Sequence, residues 1–290
     1  MGETVSIKKK KRTLTVIAIV ITVVLIVAAI LIVWGNTALE VNTYNLTHKD
    51  VPESFNGFRI AQISDLHDAE IGKDNERLIK ALEEAKPDII VMTGDMIDSR
   101  RINIDRTLGF VNSAVNIAPC YYVTGNHESR ISEYPSLREG MIEAGVTVLE
   151  NARTEIFIGD DKISILGIHD PLFSDTSTDR KAVTREYLDS IADENDGFTL
   201  LLAHRPEVFD VYVEYDIDVV LCGHVHGGQF RIPFLGGLYV PNQGFFPEYD
   251  AGLYTEGDTN MFISRGIGNS AFPFRINNRP EIVVIELESE

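Results

Sequence analysis

Short apolar runs alternate with amphipathic stretches along most of the chain, after one much longer apolar stretch near the N-terminus. The runs predict strands at residues 58–64, 88–93, 120–124, 198–203, 218–222, 260–264 and 281–286. The amphipathic stretches predict helices at 75–85, 104–117, 134–144 and 180–194, and a further helix is expected between 203 and 218. Several more strands are expected between 146 and 168. Alternating strands and helices predict a layered α/β domain, which we place at residues 51–290. The early strands are apolar throughout, which is typical of strands covered on both faces.

The long apolar stretch covers residues 14–34 and contains no charged residue over its 21 positions. A helix of that length spans about 30 Å, the thickness of bilayer hydrocarbon, so it predicts a transmembrane helix at residues 13–35. Basic residues cluster before it, at Lys8, Lys9, Lys10, Lys11 and Arg12. After it, Lys49 is the only lysine or arginine in residues 35–50. The positive-inside rule therefore places the basic residues 1–12 in the cytoplasm and the domain outside it, after a polar linker at 36–50.

A cleaved signal peptide is the alternative interpretation of this stretch. Its apolar core usually spans about 7–15 residues and is followed by small residues at the cleavage site. The run here is longer, and Asn36-Thr37-Ala38 matches such a site poorly. A retained membrane anchor is therefore favoured.

Composition limits the classes of partner. The formal net charge is -18, which disfavours a protein that grips the nucleic-acid backbone, so no specific nucleic-acid binding is expected. Phosphate chemistry on such a surface would need local positive charge, such as bound metal. Cys120 and Cys222 each lie in an apolar run and are interpreted as small buried side chains, with a single disulfide left open.

Polar side chains follow five of the predicted strands, at the point where each strand ends. They are Asp65 and His67, then Asp95, then Asn126 and His127, then His204, and finally His224 and His226. The carboxyl ends of strands in a layered α/β domain line one crevice, so we expect these side chains to converge.

The residue types indicate a metal site. Carboxylate, imidazole and amide oxygen suit divalent first-row metals, and seven such ligands exceed the four of a single tetrahedral site. They suit two ions that share a carboxylate, activate water and clamp the attacking and leaving oxygens of a reaction. Each short pattern alone is weak evidence, but five of the seven histidines fall inside the ordered set.

The ordered motifs D-x-H, G-D, G-N-H-E, H and G-H-x-H, over residues 60–228, resemble the calcineurin-like metallophosphoesterase superfamily. The continuation Gly227-Gly228-Gln229 and the apolar N-terminal stretch are similar to a bacterial membrane-associated or exported phosphodiesterase-like branch. The resemblance implies a four-layer α/β/β/α sandwich with two divalent metal ions. Manganese is favoured, and iron, zinc, cobalt and nickel are alternatives.

The resemblance also implies a division of roles. Asp65, His67, Asp95 and His226 would hold one ion, and Asp95, Asn126, His204 and His224 would hold the other. His127 would contact the phosphate and donate a proton to the leaving group.

The implied activity is hydrolysis of a phosphomonoester, a phosphodiester or a pyrophosphate bond. Asp98 and Ser99 replace the tyrosine of purple acid phosphatases and the arginine of protein Ser/Thr phosphatases, which disfavours both branches. The substrate is left open and includes lipid-linked and nucleotide-linked phosphates. Arg130, Arg205 and Arg231 are candidates for binding it. The alternative is a non-catalytic, membrane-tethered metal-binding or scaffold protein on the same fold.

Overall fold

The computed structural model describes residues 2–174, 179–193, 197–269 and 272–290, with side chains described from residue 10 onward. The helices are α1 (Gly2–Thr37), α2 (Glu76–Ala85), α3 (Ile104–Ala114), α4 (Tyr134–Glu143), α5 (Arg180–Asp189) and α6 (Phe209–Glu214). The strands of the first half are β1 (Glu40–His48), β2 (Arg59–Ile63), β3 (Ile89–Thr93), β4 (Cys120–Val123), β5 (Thr147–Val148), β6 (Ala152–Ile158) and β7 (Asp161–Gly167). Those of the second half are β8 (Thr199–Leu202), β9 (Val219–Cys222), β10 (Arg231–Ile232), β11 (Gly236–Gly237), β12 (Tyr239–Val240), β13 (Gly244–Phe245), β14 (Gly252–Glu256), β15 (Thr259–Ile263) and β16 (Glu281–Ser289).

Two six-stranded sheets form the centre of the domain. The first has the order β1-β16-β2-β3-β4-β5, and the second has the order β14-β15-β9-β8-β7-β6. Strands β2 to β5 are mutually parallel, as are β7, β8, β9 and β15. Each parallel set directs its carboxyl ends to one edge, which is where the polar motifs follow the strands.

The alternation of side chains along each strand divides the core into three apolar layers. In β3, Ile89 and Val91 pack between the two sheets, whereas Ile90 and Met92 pack under α2, α3 and α4. In β8, Leu200 and Leu202 also pack between the sheets, whereas the intervening Leu201 packs under α5 and α6. The predicted four-layer α/β/β/α sandwich is therefore confirmed.

Most of the predicted linker, residues 36–50, is a strand of the first sheet. Residues 40–48 form β1, which pairs in parallel with β16 from Glu40 opposite Glu281 to His48 opposite Ser289. Its exposed and covered positions alternate because only one face of β1 packs on the domain, and three of the four exposed positions are polar, at Thr43, Asn45 and Thr47. The folded domain therefore begins near residue 40, three residues after α1.

Two further expectations can be compared with the structure. The helix expected at 180–194 ends at Asp189, and residue 194 lies outside the described residues. The two cysteines are free and buried in different layers, Cys120 under α2 to α4 and Cys222 under α5 and α6. The structure thus keeps them as buried apolar side chains rather than a disulfide.

Helix α1 contains one segment, Lys10–Thr37, that is long and apolar enough to cross a membrane. Its apolar window is exposed along its whole length. The end of the helix contacts the domain: Asn36 Oδ1 accepts a hydrogen bond from Arg275 N at 2.9 Å, and the Arg279 guanidinium stacks 4.8 Å above the Trp34 ring.

Candidate metal centre

The eight residues singled out by the sequence lie together at the carboxyl ends of β2, β3, β4, β8 and β9. Seven of them form three groups in which the potential ligand atoms lie within 4.8 Å of one another. The first group is Asp65, His67 and His226, the second is Asp95, His204 and His224, and His67, Asp95 and His127 form a third that overlaps both. The strand-end argument therefore brings together residues that are up to 161 positions apart in the chain, from Asp65 to His226.

The first group surrounds one point in space. Nε2 of His226 lies 3.1 Å from Nε2 of His67 and 3.4 Å from Oδ1 of Asp65. Two ligands bound at about 2.1 Å to one cation are about 3.0–3.4 Å apart at tetrahedral or octahedral angles. The 3.1 Å between the two imidazole nitrogens is therefore the distance expected for two ligands of one cation.

Asp95 connects the two groups. Its Oδ1 accepts a hydrogen bond from the backbone N–H of His127 at 2.7 Å, which fixes the direction of the carboxylate. Its Oδ2 then lies 3.3 Å from Nε2 of His204 in the second group and 3.7 Å from Nε2 of His67 in the first. A single carboxylate oxygen thus faces both groups, which is the arrangement needed for a bridging ligand.

Two potential ligand atoms lack a hydrogen-bond partner within the described part of the chain although they are buried. They are Nε2 of His204 and Oδ1 of Asn126. Nδ1 of His204 lies 2.7 Å from the carbonyl oxygen of Thr93, which can only accept, so Nδ1 carries a hydrogen and Nε2 is the nitrogen directed at Asp95. A buried amide oxygen without a donor costs free energy, which a cation would recover.

Burial sets the protonation of three of the imidazoles. It lowers the pKa of His67 to about 3 and holds the pKa values of His224 and His226 well below the usual range. These side chains are therefore neutral near pH 7, the state in which imidazole binds a metal.

His204 behaves differently because of its carboxylate neighbours. Burial lowers its pKa, but Asp95 and then Asp65 raise it more, to about 10. Burial also opposes ionisation of Asp95, yet His204, His127 and His67 together hold the pKa of that carboxyl well below its usual range. A cation entering between Asp95 and His204 would displace the histidine proton, so metal binding should strengthen as pH rises toward 10.

Glycine is required where the motif loops approach each other. A side-chain carbon on Gly125 would lie 2.3 Å from Asp95 Oδ1, and one on Gly223 would lie 1.8 Å from Ser64 Oγ. Both glycines immediately precede ligands, so the glycines of G-N-H-E and G-H-x-H let neighbouring ligand loops touch. Asp65, His67, Asp95, His224 and His226 all have positive φ, and such strained backbone is concentrated at functional sites in folded proteins.

His127 lies beside the two groups with a defined tautomer. The backbone N–H of Ser99 donates to its Nδ1 at 3.0 Å, so the neutral ring carries its hydrogen on Nε2. That nitrogen lies 3.9 Å from Asp95 Oδ2, inside the site, where it can donate to a substrate oxygen. Burial lowers the pKa of His127, while Asp95 and Asp98 raise it, and the carboxylate of Asp98 lies 3.5 Å from Nδ1. Asp98 is thus placed to stabilise the charged ring.

Two supporting residues were not singled out by the sequence. Glu128, fully buried, accepts backbone hydrogen bonds from Gly125 at 2.8 Å, Asp95 at 3.0 Å and Met96 at 2.7 Å, and so ties two ligand loops together. Its position inside G-N-H-E was the available signal. Arg275, also fully buried, places Nη2 3.4 Å from Nδ1 of His226. It lies in an irregular C-terminal segment that offers no local signal.

A cavity of about 360 Å³ opens onto the site. One part of its wall is basic and includes Arg130, Arg180 and Arg205, and another part is apolar and includes Val225, Tyr239, Pro241 and Phe272. Arg205 is only 2% exposed and makes a bidentate ion pair with Asp170, with Nε 2.7 Å from Oδ2. Arg180 makes a longer contact, with Nη1 3.5 Å from Glu207 Oε1. Arg231 lines a different cavity and pairs with Asp250 at 3.1 Å.

Comparison with known proteins identifies the family. The family model described as calcineurin-like phosphoesterase matches residues 58–228. The metallophosphoesterase YkuE of Bacillus subtilis is 30% identical over 262 residues, covering 87% of this chain and 86% of that protein. The phosphodiesterase YaeI of Escherichia coli is 28% identical over 236 residues, covering 79% of this chain and 82% of that protein.

A vertebrate relative is named as a transmembrane protein. The transmembrane protein with metallophosphoesterase domain of Danio rerio is 29% identical over 277 residues, covering 90% of this chain and 61% of that protein. Together, the family match and the two buried ligand groups show that the chain belongs to the calcineurin-like metallophosphoesterases, a family of metal-dependent hydrolases. The resemblance drawn from its motifs is confirmed.

Proposed function

We propose that the protein is a membrane-anchored phosphoesterase that works with two divalent cations, manganese being favoured. The observation that carries this proposal is the position of Asp95 Oδ2, 3.3 Å from His204 Nε2 and 3.7 Å from His67 Nε2. The orphaned Oδ1 of Asn126 and the neutral buried imidazoles support the same donor set.

The chain's residues have separate tasks in this proposal. Asp65, His67, Asp95 and His226 would hold one cation, and Asp95, Asn126, His204 and His224 would hold the other. Two bound cations would supply an activated water molecule and neutralise charge on the phosphoryl oxygens. Nε2 of His127 would hydrogen-bond to the leaving oxygen and protonate it, with Asp98 compensating the charged ring. The arginines of the cavity wall would orient the anionic substrate.

The first experiment uses the full-length protein in detergent, stripped by a chelator and then reloaded with single metals. We expect manganese to restore hydrolysis of bis(p-nitrophenyl) phosphate, and the rate on p-nitrophenyl phosphate decides between diester and monoester preference. The name of the YaeI relative favours the diester. Protein that binds metal and cleaves no ester in a broad panel would instead support the non-catalytic scaffold.

The second experiment addresses the proposed orientation, with residues 1–12 in the cytoplasm and the catalytic domain outside it. The basic cluster that precedes the apolar segment supports this orientation. The exposed apolar surface of α1 supports the membrane span itself. Protease added to intact cells, or to spheroplasts where an outer membrane is present, should degrade the domain while a cytoplasmic marker stays intact. Degradation of the domain only after lysis would reverse the orientation.

A further inference from the structure

Exposed apolar side chains are carried by two small hairpins and a neighbouring loop, and two of these side chains, Tyr239 and Phe272, line the active-site cavity. Phe234 is fully exposed and Phe245 is 70% exposed, and both belong to the two small hairpins β10–β11 and β12–β13. We call the set that contains them the aromatic rim, defined as Phe234, Leu235, Tyr239, Phe245, Phe246 and Phe272. Large apolar side chains that are grouped on a protein surface often mark a binding surface.

The rim is continuous with the cavity. Tyr239 and Phe272 line the cavity itself, and the ring of Tyr239 packs 5.3 Å from that of Phe245. Phe272 packs 5.0 Å from Phe230, the residue that precedes β10. Whatever covers the rim therefore also faces the opening through which a substrate enters.

The rim is also continuous with the apolar helix. Ile276 pairs with Phe230 and accepts a hydrogen bond from the backbone N–H of Arg231, at the base of the hairpin that carries Phe234. Together with Arg275 and Asn277, Ile276 lines an apolar gap whose other wall is α1, at Ala28, Leu31, Ile32 and Trp34. Ala28 precedes Trp34 by six residues, or about 9 Å along the helix, so the loop reaches the last turns of the apolar segment.

The junction between α1 and this loop is held by hydrogen bonds. The side chain of Asn36 accepts from Arg275 N and from Asn269 Nδ2, both at 2.9 Å, and its Nδ2 donates to Arg275 O at 3.3 Å. These contacts fix the level at which the apolar segment ends relative to the rim. A bilayer that holds α1 would lie beside the loop and within reach of the rim.

We propose that the aromatic rim docks into the interface of the bilayer that holds α1, so that the cavity mouth opens on the lipid surface. Aromatic side chains favour the level of the lipid headgroups, where one end of the ring is apolar and the other is hydrated. The net charge of -18 disfavours attraction to anionic lipid, so the apolar rim itself supplies the contact. Resting on the proposed function, the preferred substrate is then a phosphate ester in a lipid headgroup, with its anionic part toward the arginines.

The docking test uses the full-length protein in phosphatidylcholine nanodiscs. Phe234→Cys and Phe245→Cys are labelled with an environment-sensitive fluorophore, and Phe157→Cys serves as the control. Phe157 is 61% exposed in β6, the edge strand farthest from β14 in the second sheet. The buried Cys120 and Cys222 should stay unlabelled in the unsubstituted chain.

The two rim probes should show blue-shifted emission and be quenched by brominated lipid, with little change between low and high salt. The Phe157 probe should report water. Rim probes that report water like the control would overturn the docking proposal. Lipid contact by all three probes would also overturn it, because the rim would then not be selective.

The substrate test compares two esters with the same leaving group. The double variant Phe234→Asp/Phe245→Asp should cleave phosphatidyl-p-nitrophenol in nanodiscs at least about tenfold more slowly, because desolvating two carboxylates at the interface opposes docking. Its rate on soluble bis(p-nitrophenyl) phosphate should stay within about twofold of wild type. Equal losses on both esters would contradict a role in lipid access. Wild-type protein that cleaves neither ester would contradict the proposed function, while the fluorescence result would still decide the docking.

Discussion

His127→Ala should lower turnover by about 10²- to 10⁴-fold while the full complement of metal stays bound. The reason is the tautomer: Ser99 N–H donates to Nδ1 at 3.0 Å, so Nε2 bears the hydrogen and serves as donor rather than ligand. The loss should fall mainly on kcat, because the interaction strengthens as charge develops on the leaving oxygen. Steady-state kinetics and metal content measured on the same preparations test this expectation.

His169→Ala is the matched control. That imidazole stacks on Phe173, lies 3.9 Å from Glu150 and belongs to none of the ligand groups, so its removal should leave turnover within about threefold of wild type. The ligand atoms of His67, Asp95 and His127 also fall within 4.8 Å of one another, so the geometry alone permits His127 as a ligand. Loss of one equivalent of metal from His127→Ala would reassign this residue from proton donor to ligand.

Asp95→Asn should produce the largest loss. The substitution preserves shape but removes the negative charge that faces both His204 and His67. Replacing an outer-shell partner of a metal ligand typically weakens binding by 10- to 100-fold, and Asp95 would itself be a ligand, so affinity for at least one cation should fall by about a hundredfold or more. Turnover should fall by about a thousandfold or more, because electrostatic stabilisation of the transition state is lost with the metal.

Asp88→Asn is the control for this change. Asp88 lies at the amino end of β3 and accepts a hydrogen bond from Arg59 N, whereas Asp95 follows the carboxyl end of the same strand. Metal titration of both variants, with thermal unfolding to check the fold, separates a site effect from a strand effect. Wild-type metal stoichiometry and turnover in folded Asp95→Asn would remove the bridging carboxylate from the proposal.

Much of the site could be predicted because its signals are local in sequence. Each ligand directly follows an apolar strand, so the strand pattern and the topology rule together were enough to bring Asp65 and His226 to one place. Glu128 follows His127 in the sequence, but its role depends on backbone N–H donors of another loop, at Asp95 and Met96. Sequence patterns do not show where such donors point.

The features that escaped prediction depend on contacts between distant segments. Strand β1 has mostly polar side chains on its exposed face and pairs with a strand about 240 residues later, so its sequence resembles a linker. Arg205 was a candidate for binding substrate phosphate and lines the cavity, but its ion pair with Asp170 was not predicted. The chain position of a cation does not indicate which carboxylate it will meet in the fold.

The pairing of β1 with β16 has a consequence for biosynthesis. Strand β16 lies between β1 and β2 in the first sheet, yet the ribosome makes it after all of its neighbours. Until it arrives, β1 and β2 have an open gap between them, and apolar side chains that will pack on Ile282 and Val284 remain uncovered. The first sheet can therefore be completed only after residues 281–289 have been synthesised, and until then its uncovered apolar side chains favour aggregation.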